Sequence, residues 1–209
     1  MKPFDHEPTP HSFGLNAQGS NIQGSNIPGA KSRGASRQAA SEMIALRPTR
    51  LADLGFVMDA EQHPDNALYV NQWRQAQHEA AIVSEDDVHF IVELAQQPIG
   101  YVILSGMRDP HKSMLLRRIV ILPKGKGFGR QTLRWIKAYA FEQLGYHRLW
   151  LDVLVRNERA QSLYISEGFV VEGMQREAIK TRSGYEDMHL LSIMLCEGSL
   201  NRLREKAEL

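Results

Sequence analysis

The stretch Lys124-Gly-Lys-Gly-Phe-Gly-Arg130 limits the fold more than any other part of this chain. It follows residues 114–122, which read as a strand. It precedes a segment whose Leu133, Ile136, Ala140 and Leu144 recur at spacings of three and four, the mark of an amphipathic helix, stopped by Gly145. A strand–turn–helix unit of this kind leaves unpaired N–H groups at the helix start, where the helix dipole also favours negative charge. Gly127 and Gly129 lack side chains, so an anion can approach the main chain closely. Lys124, Lys126 and Arg130 place positive charge around the same turn. Two nucleotide signatures fail here. A P-loop needs Gly-x-x-x-x-Gly-Lys before Ser or Thr, and no such string occurs. A dinucleotide fingerprint needs a third glycine at the sixth position, but that position is Thr132 counted from Gly127 and Arg130 counted from Gly125.

The surrounding pattern predicts a mixed α/β layer, with strands at both ends of the globular part. Residues 44–48 read as a first strand ended by Pro48, after which the Thr49 hydroxyl is placed to cap a helix over about 50–61. A second helix is expected around 72–83, with Trp73, Ala76, Ala80 and Ala81 as a partial apolar face. Val88, Phe90, Val92 and Leu94 alternate with His89, Ile91 and Glu93, and Ile99 to Leu104 is nearly all apolar. These two strands form a hairpin across Gln96–Pro98. A polar loop covers 107–113. Residues 149–154 give a further strand, Asn157 caps a helix to about Glu167, and Gly168 opens another strand. A turn at Ser183-Gly184 leads to the last strand, over 185–195.

Three divisions follow. Residues 1–42 carry glycine at 14, 19, 24, 29 and 34 and write Gly-Ser-Asn-Ile twice, a texture expected of a flexible tail. Residues 43–197 form the domain, and 198–209 a charged, frayed helix. With 25 basic and 24 acidic side chains, a formal net charge of +1, no nucleic-acid partner is expected. No apolar run approaches the ~18 residues that span a bilayer, and the N-terminus lacks the apolar core of a secretory signal, so a cytoplasmic protein is expected. Cys196 is the only cysteine, and the eight histidines form no His-x-x-x-His pair, so no metal is expected.

Lys124-Gly-Lys-Gly-Phe-Gly129 resembles the Arg/Gln-x-x-Gly-x-Gly/Ala motif of the GNAT superfamily, the Gcn5-related N-acetyltransferases, with Lys where Arg or Gln is usual. Asn157-Glu-Arg-Ala-Gln-Ser-Leu-Tyr164, followed by Gly168-Phe169, resembles a second family segment. The resemblance covers roughly 44–195. Arg47-Pro48 and the stretch from Glu172 to Glu177 look like the ribosomal-protein and polyamine acetyltransferase-like branches. It implies an α/β (α+β) fold with a largely antiparallel sheet of about six to seven strands, two of them splayed. It also implies acetyl-coenzyme A as co-substrate and an amine, on a small molecule or a peptide, as acceptor.

Carried over residue by residue, the resemblance sets Ile119, Val120 and Ile121 beside the pantetheine arm, with an amide near Val120 on the thioester carbonyl. The pyrophosphate falls on the amides of Gly127, Phe128, Gly129, Arg130 and Gln131, with Lys124 near a phosphate. Asn157 helps hold the cofactor arm and also fits a plain N-cap. Tyr164 becomes the acid that protonates the departing thiolate, against the simpler reading of a tyrosine packed beside Leu163. Relatives often carry a glutamate on the strand before the glycine loop, but residues 114–121 hold no carboxylate. The base is therefore open: Glu93, Asp152 and His111 could each serve through a water, against the simpler reading of each as structural. Trp73 and Gln72 would flank the acceptor, against the simpler reading of the tryptophan as core, and Arg117 and Arg118 suit an acidic acceptor or simply face solvent. The rival readings are an acyl-coenzyme A sensor without turnover and an ATP-dependent enzyme. Oligomeric state is open, a homodimer included.

Overall fold

The computed structural model describes residues 43–181 and 184–196. The expectations for the 1–42 tail, for Ser183 in the last turn and for a helix over 198–209 lie outside them. Seven strands form one sheet: β1 (Ile44–Pro48), β2 (Asp87–Leu94), β3 (Gln97–Ser105), β4 (Ser113–Ile121), β5 (Arg148–Leu154), β6 (Val170–Thr181) and β7 (Gly184–Met194). Their order across the sheet is β1-β2-β3-β4-β5-β7-β6. Every neighbouring pair is antiparallel except β4 and β5, which run parallel.

Helices cover both faces. On one lie α1 (Leu54–Gln62), entered through a 3-10 turn at Leu51–Asp53, the single turn α2 (Pro64–Ala67) and α3 (Gln75–Val83). On the other lie α4 (Phe128–Ala138), extended by a π-turn at Tyr139–Gln143, and α5 (Glu158–Ser166). The larger core packs Leu133, Ile136 and Phe141 from α4 and its extension against Val92, Leu104, Leu151 and Ile193 of the sheet. Val57 and Ala60 of α1 close the opposite face over Ile91, Tyr101, Ile103 and Val120. Ile91, expected on the polar side of an alternating strand, is therefore fully buried, because α1 covers the side that alternation alone leaves to solvent. Each such apolar side chain contributes roughly 1.5–3 kcal/mol.

Two local expectations change. Thr49 does not cap the first helix. It is buried, and its hydroxyl turns inward to His89 Nδ1 at 2.8 Å. The cap comes from Asp53, whose carboxylate accepts the Arg50 N–H at 2.7 Å and also takes both terminal nitrogens of Arg47. On α3 the buried residues are His78 and Ala81, while Ala76 and Ala80 are exposed and Trp73 precedes the helix.

His89 carries a pH-dependent share of stability. Burial, followed by the neighbouring charges of His78 and Arg118, moves its imidazole down from 6.5 to about 4. The unfolded chain thus takes up a proton near 6.5 that the folded chain refuses until about 4. Stability present above pH 6.5 is lost as the pH falls through that window, by ~3 kcal/mol. Urea unfolding at pH 7 and pH 4.5 should show the loss in the wild type, and His89→Asn should flatten that portion of the curve.

Candidate active site

β4 and β5 pair only at Ser113–Arg148, Met114–Leu149 and Leu115–Trp150. Beyond Leu115 β4 leaves its neighbour, opening a wedge in the middle of the sheet. On the β3 side the register slips between Ile103 and Leu104, which skips Arg117, so a bulge sits where the wedge begins. Further along, the Leu122 N–H donates to the Ile99 carbonyl at 2.6 Å. Since strand amides alternate in direction, Val120 also turns its peptide toward β3. Ile119 and Ile121 are left to present main-chain groups to the wedge, and the expectation for the Val120 amide changes accordingly. Close approach of β3 to β4 here depends on Gly100, where a Cβ would lie 2.2 Å from the Val120 carbonyl oxygen.

The glycine turn closes the wide end of the wedge. Gly127 takes a left-handed φ of 81° and precedes α4, an arrangement that a residue with a side chain resists. The N–H groups of Gly127, Phe128, Gly129 and Arg130 have no acceptor among the described residues. Gln131 does not belong with them: its N–H donates to the Gly127 carbonyl at 3.1 Å as the first bond of the helix. Lys124 is partly buried, and desolvation, with the nearby charge of Arg159, pulls its ammonium below the ordinary value. Arg159 was not anticipated. It lies on the first turn of α5, two residues beyond Asn157, and only the packing of that helix end against the loop brings it to Lys124.

The Arg130 side chain turns away from the turn. Its Nη1 donates to Glu167 at 2.7 Å, where Lys137 Nζ (2.9 Å) and Arg134 Nε (3.1 Å) also converge. Burial pushes the Glu167 carboxyl up, but Lys137, Arg134 and Arg130 together hold it below the ordinary value. This buried acid fastens α4 to the end of α5 and so fixes the glycine turn relative to Tyr164. Leu163, one residue before Tyr164, lies 3.5 Å from where a Cβ on Gly129 would be.

Asn157 caps α5, with its Oδ1 accepting the Ala160 N–H at 3.3 Å. Tyr164 is buried with its ring beside Phe169, and its hydroxyl has no hydrogen-bond partner among the described residues. Burial, then the charge of Asp152, pushes the phenol well up, so it stays protonated at neutral pH. Asp152 lies on β5 two residues past the last β4–β5 pair, on the sheet face opposite buried Leu151 and Val153. Its carboxyl is raised by desolvation, against the pull of its own N–H and of Arg117. The other two base candidates lie elsewhere. Glu93 is bound to Arg47 at 2.7 Å where β2 meets β1, and His111 is exposed in the loop at the closed end of the wedge.

A polar cluster that sequence reading passed over lies on the α1 face. Glu61 accepts from the Tyr101 hydroxyl, from Arg118 Nη1 at 2.7 Å and from the Trp73 N–H at 2.9 Å. His78 Nε2 sits 3.3 Å from the same carboxylate without the alignment of a hydrogen bond. The Trp73 ring carries Arg118 at 4.3 Å and Arg117 at 6.0 Å, while Gln72 is exposed. An acid at position 61 of an amphipathic helix, on the side of Val57 and Ala60, was the signal available.

Residues 52–169 match the acetyltransferase (GNAT) family. The chain belongs to that family. The chain is 30% identical over 164 residues to the spermidine N(1)-acetyltransferase of Vibrio cholerae serotype O1, spanning 72% of this chain and 92% of that one. It is 30% identical over 142 residues to the spermidine N(1)-acetyltransferase of Escherichia coli K12, spanning 62% and 74%. The crystal structure of the Vibrio cholerae spermidine N-acetyltransferase in complex with CoA and spermine superposes with a TM-score of 0.68 at 28% identity, over 75% of this chain and 98% of that one. As a GNAT enzyme of the polyamine acetyltransferase branch, the chain transfers an acetyl group from acetyl-coenzyme A to an amine. Among the described residues no group of three His, Cys, Asp or Glu is placed to hold a metal, and no helix is long and apolar enough to cross a membrane.

Proposed function

We propose that the chain acetylates a primary amine by direct attack within a ternary complex, with Asp152 as base and Tyr164 as acid. The carrying observation is the position of Asp152, two residues beyond the last β4–β5 pair where β4 has left its neighbour, from which its charge acts on the buried Tyr164 phenol. The free amides of 127–130, with Lys124 and Arg159, suit a diphosphate, and the Ile119 and Ile121 main chain suits an extended amide-bearing arm. Asn157 supports that arm through the helix it caps.

An alkyl ammonium of pKa ~10.4 is almost wholly protonated at neutral pH, so a proton must leave before attack. Asp152 accepts it directly or through a water; the raised carboxyl is a better base than an ordinary one. The amine nitrogen bonds to the thioester carbon, the carbon–sulfur bond breaks, and Tyr164 hands its proton to the departing sulfur. Solvent then carries the proton from Asp152 and restores the phenol, giving an amide and a free thiol. Because the phenol starts the cycle protonated, burial suits it to giving up a proton rather than taking one.

Thiol release with acetyl-coenzyme A and a panel of amines tests this reading. Asp152→Asn should lower kcat/KM by about 10²-fold or more while coenzyme A binding, followed by calorimetry, stays intact. Binding without thiol release from any amine would instead mark a sensor. The named relatives are spermidine acetyltransferases, which supports a polyamine as the acceptor. A homo-oligomer fits the dodecameric structure of the Vibrio cholerae relative.

A further inference from the structure

Residues 68–73, between α2 and α3, cross the wide end of the wedge on the α1 side. At one end of this segment Val70 and Trp73 join the cluster of Val120 and Leu122, where β4 finishes. At the other end Leu68 and Tyr69 are held by Arg156, two residues past the end of β5. The Arg156 Nη2 donates to the Leu68 carbonyl at 2.5 Å, and its Nε and Nη2 donate to the two carboxylate oxygens of Glu186 on β7. Its guanidinium carbon lies 5.2 Å from the centre of the Tyr69 ring, and the Thr181 hydroxyl also bonds the Glu186 carboxylate. A carboxylate, a carbonyl oxygen and an aromatic face are the three kinds of group that hold an ammonium. Here a side chain of the protein itself fills all three. The Arg156 side chain is 42% exposed and that of Glu186 19%, so the pair opens at small cost.

Strand register ties this cation box to the wedge. Asp152 lies opposite Leu190 on β7. Alternate residues of a strand share a face, so Asp152, Leu190, Met188 and Glu186 all lie on the α1 side of the sheet, away from buried Leu191 and Ile193. Glu186 stands four residues before Leu190, roughly 13 Å along the strand. Met188 and Leu190, between them, are half-buried. The row therefore reads carboxylate, apolar, apolar, carboxylate, the complement of an extended amine with methylenes between two ammonium groups. Glu172, the acid at the other end of this face, is already bound by Arg148 and Ser192.

We propose that Glu186, with the Leu68 carbonyl and the Tyr69 ring, receives the second ammonium of a polyamine whose reacting amine lies at Asp152, and that Arg156 fills this site until the acceptor displaces it. This rests on the amine-acetylation reading above and adds the group that recognises the far end of the acceptor. No bond forms or breaks at Glu186, so its contribution falls on KM rather than on kcat. The displaced guanidinium turns to solvent, and the acceptor's ammonium keeps the carboxylate paired.

The test is thiol release from acetyl-coenzyme A with spermidine, linear diamines of increasing length and monoamines of matching length. Diamines long enough to bridge the two carboxylates should show lower KM than the matching monoamines. Glu186→Gln should raise the spermidine KM by about 10-fold relative to the monoamine, the scale of one charge-assisted hydrogen bond. Glu186→Asp should keep part of the preference. Arg156→Gln should do the reverse of Glu186→Gln and lower the spermidine KM by about 3-fold, the scale of an exposed ion pair. Melting temperature and coenzyme A affinity are followed on each variant, and if Glu186→Gln does not fold, Arg156→Gln decides alone. A spermidine preference that survives Glu186→Gln, an equal rise in KM for spermidine and monoamine, or an unchanged or raised spermidine KM in Arg156→Gln overturns the proposal while leaving acetyl transfer standing. So does acetylation of monoamines without any of spermidine. Failure to bind coenzyme A at all is the different result that removes the underlying reading.

Discussion

Tyr164→Phe is expected to lower kcat by about 10²–10³-fold while leaving coenzyme A affinity and melting temperature nearly unchanged. The asymmetry follows from where the hydroxyl sits. The ring is packed in the main core beside Phe169, and phenylalanine keeps that packing. The oxygen has no protein partner among the described residues, so its removal orphans no donor or acceptor. What disappears, on the proposed mechanism, is the proton for the departing sulfur. Single-turnover thiol release, calorimetry with coenzyme A and a thermal melt together check the three parts. A wild-type rate in the variant would remove Tyr164 from the chemistry, and a large drop in melting temperature would reassign it to the fold.

Glu61→Ala is expected to cost about 3–5 kcal/mol of stability, the usual penalty for stranding a buried charge. Glu61 is 1% exposed and accepts from Tyr101, Arg118 and the Trp73 main chain. Removing it leaves the Arg118 guanidinium, 9% exposed, without its counter-charge. It also frees the phenol of Tyr101, a fully buried residue. The melting temperature should fall by roughly 10 °C. Glu61→Gln should fall in between, because it keeps acceptors for Tyr101 and Trp73 but loses the charge. If the Arg118–Trp73 face receives the acceptor, residual folded protein should show a raised KM for the amine with cofactor affinity little affected. Urea unfolding and steady-state kinetics on the two variants separate these effects.

The glycine turn, the capping of α5 by Asn157 and the order of strands through the middle of the chain were readable because they are local. A glycine at positive φ, a side chain capping an amide three residues on and an apolar repeat of three and four each involve neighbours in sequence. The expectations that failed were those decided by distant partners. Thr49 was read as a cap from its neighbours, but His89, forty residues away, claims its hydroxyl. Gln131 is the local exception: its N–H is already spent on the Gly127 carbonyl four residues back, as the first bond of the helix. Arg130 was read as charge for the loop, yet its guanidinium reaches Glu167.

The sequence alone determined that a glycine-rich turn joins a strand to a helix, that a capped helix bearing Tyr164 follows, and that this pairing resembles the acetyltransferases, because each of these is encoded by residues a few positions apart. Tertiary structure alone decided that Asp152 rather than Glu93 or His111 stands at the wedge, that Arg118 pairs with buried Glu61 while Arg117 is held by Ser105 near Asp87, and that Ile119 and Ile121 rather than Val120 face the gap. Each of those outcomes depends on strand register and on which charges come together across the sheet, and neither quantity is written in any short window of the chain.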